Sequence, residues 1–467
     1  MRILFFSLLL IFTCCCSCFA KTEVSVLIYN GSVLTVSDGG IIDRGVVAVN
    51  DDVIVEVGGS SLLERYDAPL RIDAAGKIVM PGFINTHTHI PMAGFRGLGE
   101  NGIRDRLFGF FFPLEKKFIN EDFVYLASIH ACIEMIMGGV TTFCDMYYFM
   151  EKEAEAAKKI GMRGVLGETI IDYPAPDAPN PDVAIMQAIH FIESYSKDEL
   201  ITPGFAPHSP YTLADNYLRK VSDLALKYNA PVITHMAEIP KEENKKFDLD
   251  NIYHLQHVGL LRNRLTIAHA IHIDEKQMHI IRDNNVGVAY NPMANVKGAT
   301  GIANACEMMK LGIKTGLGTD GPMSSNELTL FRVMSYAANL QRLLHRNRTV
   351  MTPPEVVRMA TLGGAEALHI DRVTGSLETG KKADIIIVDL SAPNMVPHHD
   401  LYAALVYQAE PSNVDTVVIN GRIILQGRKL LTYSMEQDAE DMAKISAAVS
   451  AYGKILQQKA RDSQDTK

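Results

Sequence analysis

The sequence predicts an α/β protein, a (β/α)8 (TIM) barrel with a small β-sandwich domain formed from both chain ends. Three observations lead there. At 467 residues the chain exceeds one ordinary domain but suits a barrel with an appended small one. Its middle, residues 80–374, alternates short apolar strands with helical stretches, the pattern of a parallel sheet. Segments of similar β-rich texture flank that middle on both sides.

Eight strands are expected in the middle: Gly82–His89, Gly139–Asp145, Arg163–Thr169, Ile201–Ala206, Pro231–His235, Leu265–His272, Val286–Asn291 and Lys314–Thr319. Eight β/α units in that length suit a barrel. An open doubly wound sheet would alternate too, but no glycine-rich dinucleotide fingerprint follows any strand, so that fold would lack its usual function. The small domain is expected from residues 22–79 and 375–432. Its short strands end at turn pairs such as Asn30-Gly31, Gly58-Gly59 and Asn420-Gly421. The remainder, 433–467, reads as a tail with an amphipathic surface helix over about 435–460 (Met435, Met442, Ile445, Ala448).

Residues 1–20 differ from the rest. Arg2, an apolar run from Ile3 to Phe12 and a small-residue end at Ala20 predict a secretory signal, with cleavage after Ala20 and export of the chain. A lipoprotein signal with Cys18 as the lipidated residue is the weaker variant, because the residues before it make a poor lipoprotein box. The apolar run is too short for a membrane span, which needs about twenty apolar residues. Cleavage leaves Cys132, Cys144 and Cys306, too few and too scattered for a disulfide framework or a cysteine zinc site. A net charge of -9 argues against a nucleic-acid groove. Lys245 and Lys246 sit among Glu242, Glu243 and Asp248 and read as a solvated face.

A metal centre is the strongest chemical signal. His87 and His89 stand two apart on the first barrel strand, so both imidazoles leave one face. His235 ends the fifth strand and Asp320 follows the eighth, in Gly318-Thr319-Asp320-Gly321. All four lie at the carboxyl ends of strands, where barrel active sites are built. Three histidines and a carboxylate suit zinc, and also iron or manganese. Glu238, three residues past His235, reaches the site only if the strand ends near Met236; there it could pass a proton from the attacking water to a substrate nitrogen.

Pro81–His89, the Gly-Thr-Asp of 318–320 and the flanking β segments resemble the amidohydrolase superfamily over nearly all of the mature chain. Single-metal members use the His-x-His pair, a later His and the last-strand Asp, which implies His87, His89, His235 and Asp320 as ligands. The binuclear branch carries a carboxylated Lys on the fourth strand. None occurs between Ile201 and Tyr211, so one divalent ion is expected, Zn2+ first and Fe2+ second. Gly204–Tyr211, Phe112–Glu115 and Leu317–Gly321 are similar to the 5-methylthioadenosine/S-adenosylhomocysteine deaminases, with triazine hydrolases as close cousins.

The resemblance implies hydrolytic deamination of an adenine-type nucleoside (5-methylthioadenosine, adenosine or S-adenosylhomocysteine). Glu238 would move the proton, while Asp320 and His272 hold the attacking water. Glu115 would bind the ribose hydroxyls and His208 the purine, with Glu238 and Asp320 also touching substrate. His269 would then be structural. Glu168 departs from the pattern, because some relatives place there an arginine that meets the homocysteine carboxylate; an acid at that position counts against S-adenosylhomocysteine. The same machinery would serve a chlorohydrolase or aminohydrolase acting on a triazine, guanine or pterin. Some superfamily members lost their ligands and became scaffolds, but every ligand is present here. The expected partner is a small heterocycle, with no nucleic acid, no membrane span in the mature chain and homo-oligomer formation left open.

Overall fold

A computed structural model describes residues 21–100, 103, 105–240 and 251–465. The expected secretory signal at 1–20 and the charged stretch around Lys245 and Lys246 lie outside the described residues.

Eight parallel strands form the barrel: β1 (Phe83–Thr88), β2 (Val140–Tyr147), β3 (Arg163–Ile170), β4 (Ile201–Pro207), β5 (Val232–Met236), β6 (Leu265–His269), β7 (Gly287–Tyr290) and β8 (Thr315–Leu317). They pair in sequence order, as short right-handed β/α connections require. Just past the two end strands, Thr319 N and Asp320 N donate to His87 O at 3.2 and 2.9 Å, bringing β8 back against β1. Gly318 is needed at this seam, since a Cβ there would lie 2.2 Å from Asn291 Oδ1 and 3.0 Å from His87 N. Eight strands leave an interior that side chains fill. Ile84, Cys144, Val165, Ala206 and Ile233 fill it, and the outward residues pack under the helices in the main core.

The chain ends meet in one nine-stranded sheet, in which Lys77–Pro81 from the N-terminal segment pairs antiparallel with Ile385–Asp389 from the C-terminal one. Ile54 near one edge and Val418 towards the other share a single core with Ile28, Val79 and Ile385. The sheet therefore curls over its own apolar face, as the alternating pattern of its strands demands. A buried ion pair fixes it to the barrel: Arg163 Nε, at the start of β3, donates to Asp384 Oδ2 at 2.8 Å, with the side chains 6% and 0% exposed. Asp384 Oδ1 also accepts from Asn420 N at 2.8 Å, and Arg163 Nη1 donates to Glu199 O at 2.8 Å, so neither charge is left bare.

The tail is a helix, Met435–Asp465. It docks through Ile445 and Val449, whereas Met435 is exposed. Among the described residues, no helix is long and apolar enough to cross a membrane.

Candidate active site

His87, His89, His235 and Asp320 converge where the barrel strands end. Asp320 Oδ1 lies 3.8 Å from His87 Nε2 and 3.4 Å from His89 Nε2. The His87 and His235 ring centres are 4.9 Å apart. Two clusters with metal-ligand spacing overlap there: His87, His89 and Asp320, and His87, His235 and His269.

The hydrogen bonds fit these residues to a cation. His89 Nδ1 lies 2.7 Å from Met146 O and His235 Nδ1 lies 2.8 Å from His208 O. A carbonyl only accepts, so each Nδ1 carries the proton and each Nε2 keeps a lone pair. Yet the two Nε2 atoms are 3.2 Å apart. Two lone pairs at that distance repel, and a shared cation removes the conflict. His87, fully buried, has both ring nitrogens without a hydrogen-bond partner among the described residues, a costly state unless one of them binds a metal. Burial, followed by the neighbouring imidazoles, holds His87 and His235 well below the usual histidine range. They are neutral at pH 7, as metal ligation requires.

Strained backbone at the strand exits aims these groups. Ala237, His269, Ala270 and Asp320 all take positive φ, at 53°, 77°, 48° and 60°, a costly conformation for residues with side chains. The turn at Ala237 follows the end of β5 at Met236, and Glu238 accordingly faces the cleft, its Oε2 4.0 Å from His269 Nε2. In β1 the pairing register slips between Asn85 and Thr88, a bulge next to His87. Sequence reading missed Asn85, whose side chain bonds Thr319 Oγ1 at 2.8 Å and Thr319 N at 3.1 Å, locking the first strand to the loop that carries Asp320.

The sixth-strand expectation is corrected. His272 was expected to hold the attacking water; the structure brings His269 to the cluster instead. Pairing of Thr266 with Ile233 and of Ala268 with His235 sets the inward face of β6, and strict alternation would carry that face to 270 and 272. The strand stops at His269, where the positive φ swings the ring inward: its centre lies 5.6 Å from that of His235. His269 Nδ1 bonds Asn295 Oδ1 at 2.8 Å, and its Nε2 faces Glu238. Ala270 turns the chain away, and His272 Nε2 ends 2.8 Å from Thr300 O.

A cleft of about 440 Å³ opens over the cluster, and Glu115, His208, Glu238 and His269 line it. Glu115 sits on the helix Phe112–Phe118 and is 2% exposed. Tyr147 Oη donates to its Oε1 at 2.7 Å, and the Tyr148 hydroxyl bonds it as well. Burial nevertheless pushes its carboxyl up to about 7. His208, pulled down to about 3 by burial, is a neutral imidazole with Nδ1 2.9 Å from Thr212 Oγ1. Glu168 is different. It pairs beside Phe205 on the outer face of the barrel, while Thr169 lines the cleft. Its charge therefore does not meet a substrate there, and the expectation that it counts against S-adenosylhomocysteine loses its basis.

The amidohydrolase family model matches residues 78–424. A 5-methylthioadenosine/S-adenosylhomocysteine deaminase of Syntrophus aciditrophicus is 36% identical over 433 residues, 91% of this chain and 98% of the relative. A 5'-deoxyadenosine deaminase of Methanobrevibacter smithii is 35% identical, covering 89% of this chain and 96% of its own. The crystal structure of an adenosine deaminase from Xanthomonas campestris with bound zinc superposes with a TM-score of 0.90 at 29% identity, over 92% of this chain and 100% of that one.

Proposed function

Because this chain belongs to the amidohydrolase family, we propose that it is a metal-dependent deaminase that releases ammonia from an adenine-type nucleoside. One observation carries the reading: a neutral histidine and carboxylate cluster with its Nε2 lone pairs turned inward opens into the same cleft as Glu238 and the buried Glu115. His87, His89, His235 and Asp320 would hold one divalent ion, zinc being the first choice for this donor set. Such an ion would supply Lewis acidity, lowering the pKa of a water from 15.7 to about 7.

The remaining work falls to side chains. Asp320 and His269 orient the attacking water. Glu238 takes one proton from it and delivers it to the ring nitrogen beside the amino-bearing carbon, making that carbon electrophilic; the remaining hydroxide adds there, its proton passes to the amino group, and the C–N bond breaks to release ammonia as the carbonyl forms. Glu115 accepts hydrogen bonds from two neighbouring ribose hydroxyls, a role that suits two carboxylate oxygens. His208 contacts the purine edge.

A screen with the metal-loaded enzyme tests this. Ammonia should appear from adenosine, 5'-deoxyadenosine or 5-methylthioadenosine, and neither ammonia from guanine or a pterin nor chloride from a chlorotriazine should approach that rate. Turnover confined to the latter three would overturn the nucleoside reading. The same assay separates the sixth-strand histidines. His269→Asn should lower kcat by about 10²-fold, within the range for a lost acid–base or orienting group. His272→Asn should stay within about threefold of the parent, since its ring faces Thr300. The reverse order of effects would restore His272 to the mechanism.

A further inference from the structure

The turn after β2 is clamped from behind by two acids. Asp177 Oδ2 accepts from Phe149 N at 2.7 Å. Glu168 Oε2, from the outer face of β3, accepts from Met150 N at 3.2 Å. Phe149 takes φ of +55°, a strained conformation that the surroundings must impose on a residue with a side chain. Met150 opens the helix Met150–Ile160, whose first amides have no partner inside the helix and favour negative charge. The two carboxyls meet both needs.

Immediately before this turn stand Tyr147 and Tyr148. Both hydroxyls bond Glu115, that of Tyr147 at 2.7 Å. A continuous path therefore runs from the acid pair through two backbone amides and two phenols to Glu115. Nothing in the deamination chemistry uses Glu168 or Asp177, and neither lines the cleft over the metal site.

We propose that Glu168 and Asp177 are positioning residues for ribose recognition: by fixing the Tyr147–Met150 turn they hold two tyrosine hydroxyls on Glu115 and so aim its carboxylate at the ribose diol. The proposal rests on the reading of Glu115 as the ribose contact.

Burial makes two full charges at this point costly. Glu168 is 3% exposed, and burial first, then the charge of Asp177, push its carboxyl far above the usual range. Burial raises the carboxyl of Asp177 as well, so the pair resists carrying two charges while Glu168 Oε2 and Asp177 Oδ2 remain on their amides. A glutamine at 168 reproduces the uncharged form and keeps an oxygen for Met150 N.

The test compares kcat/KM for adenosine with that for 2',3'-dideoxyadenosine in the full-length, metal-loaded enzyme. Glu115→Gln should collapse the preference for adenosine; if it does not, the ribose reading itself is wrong. Given that collapse, Glu168→Ala and Asp177→Ala should each reduce the preference about tenfold, the effect of a lost hydrogen bond to a charged group. The change should lie mainly in KM for adenosine, while rates on the dideoxy substrate stay within about threefold. Glu168→Gln should keep the parent's preference within about threefold. If the alanine variants lower both substrates equally, or leave the preference intact while Glu115→Gln destroys it, the positioning role is overturned and the ribose reading stands. Should an alanine variant fail to fold, Asp177→Asn decides, since it keeps the shape but weakens the acceptor: a reduced preference supports the role and an unchanged one removes it.

Discussion

Replacing His87 and His89 together with alanine should remove the metal and the activity in one step. Two of four ligands go, and both come from one strand end, so no neighbour can rotate in. The His87 ring has no hydrogen-bond partner among the described residues, which leaves ligation as the state that justifies its burial. What remains, His235, His269 and Asp320, is two imidazoles and a carboxylate on three different strand exits. We expect less than about a tenth of an equivalent of zinc by elemental analysis, against about one in the parent. Activity should fall by more than about 10⁴-fold, because without a cation the attacking water keeps a pKa near 15.7 rather than about 7. A double variant that retained a full equivalent of metal would mean that the centre lies elsewhere.

Glu238→Gln separates proton transfer from metal binding. The substitution keeps the size and one acceptor oxygen but cannot carry a proton. Glu238 is 4.0 Å from His269 Nε2 and belongs to neither cluster with ligand spacing. Metal content should accordingly match the parent. The kcat for adenosine should fall by about 10²- to 10⁴-fold, the usual weight of general acid–base catalysis, with KM changed far less. Loss of metal would make Glu238 a ligand. Substantial remaining activity would transfer the shuttle to another group, and His269 would be the first to examine.

Much of this site was legible because strand ends carry it. Each expected barrel strand has its counterpart, and the apolar runs with their following turns locate His87, His89, His235 and Asp320 without reference to tertiary contacts. The sixth strand shows where period-two reasoning stops. Positive φ at His269 and Ala270 reverses the parity of the exit, and neither residue is a Gly or Asn that would announce it. Glu115 beside Lys116 and Lys117 looks like a solvated helix start; only the packing of Phe112 and Leu114 beneath it reveals a buried acid. Its tyrosine partners, and Asn85 bonded to a threonine 234 positions away, depend on long-range closure that leaves no local pattern.

The nine-stranded sheet has a consequence for how the chain is made. Met80 pairs with Ile386, so an early strand waits for a partner about 300 residues downstream. At about 5–20 residues per second, synthesis leaves that edge open for roughly 15–60 s. During that interval Lys77–Pro81 presents an unpaired edge of the kind that seeks any other strand. The nascent barrel forms while its companion sheet is still half a sheet. A polypeptide released between Asp320 and Ile385 would hold every metal ligand yet keep this edge exposed, which makes such truncated translation products of this chain candidates for aggregation rather than for partial activity.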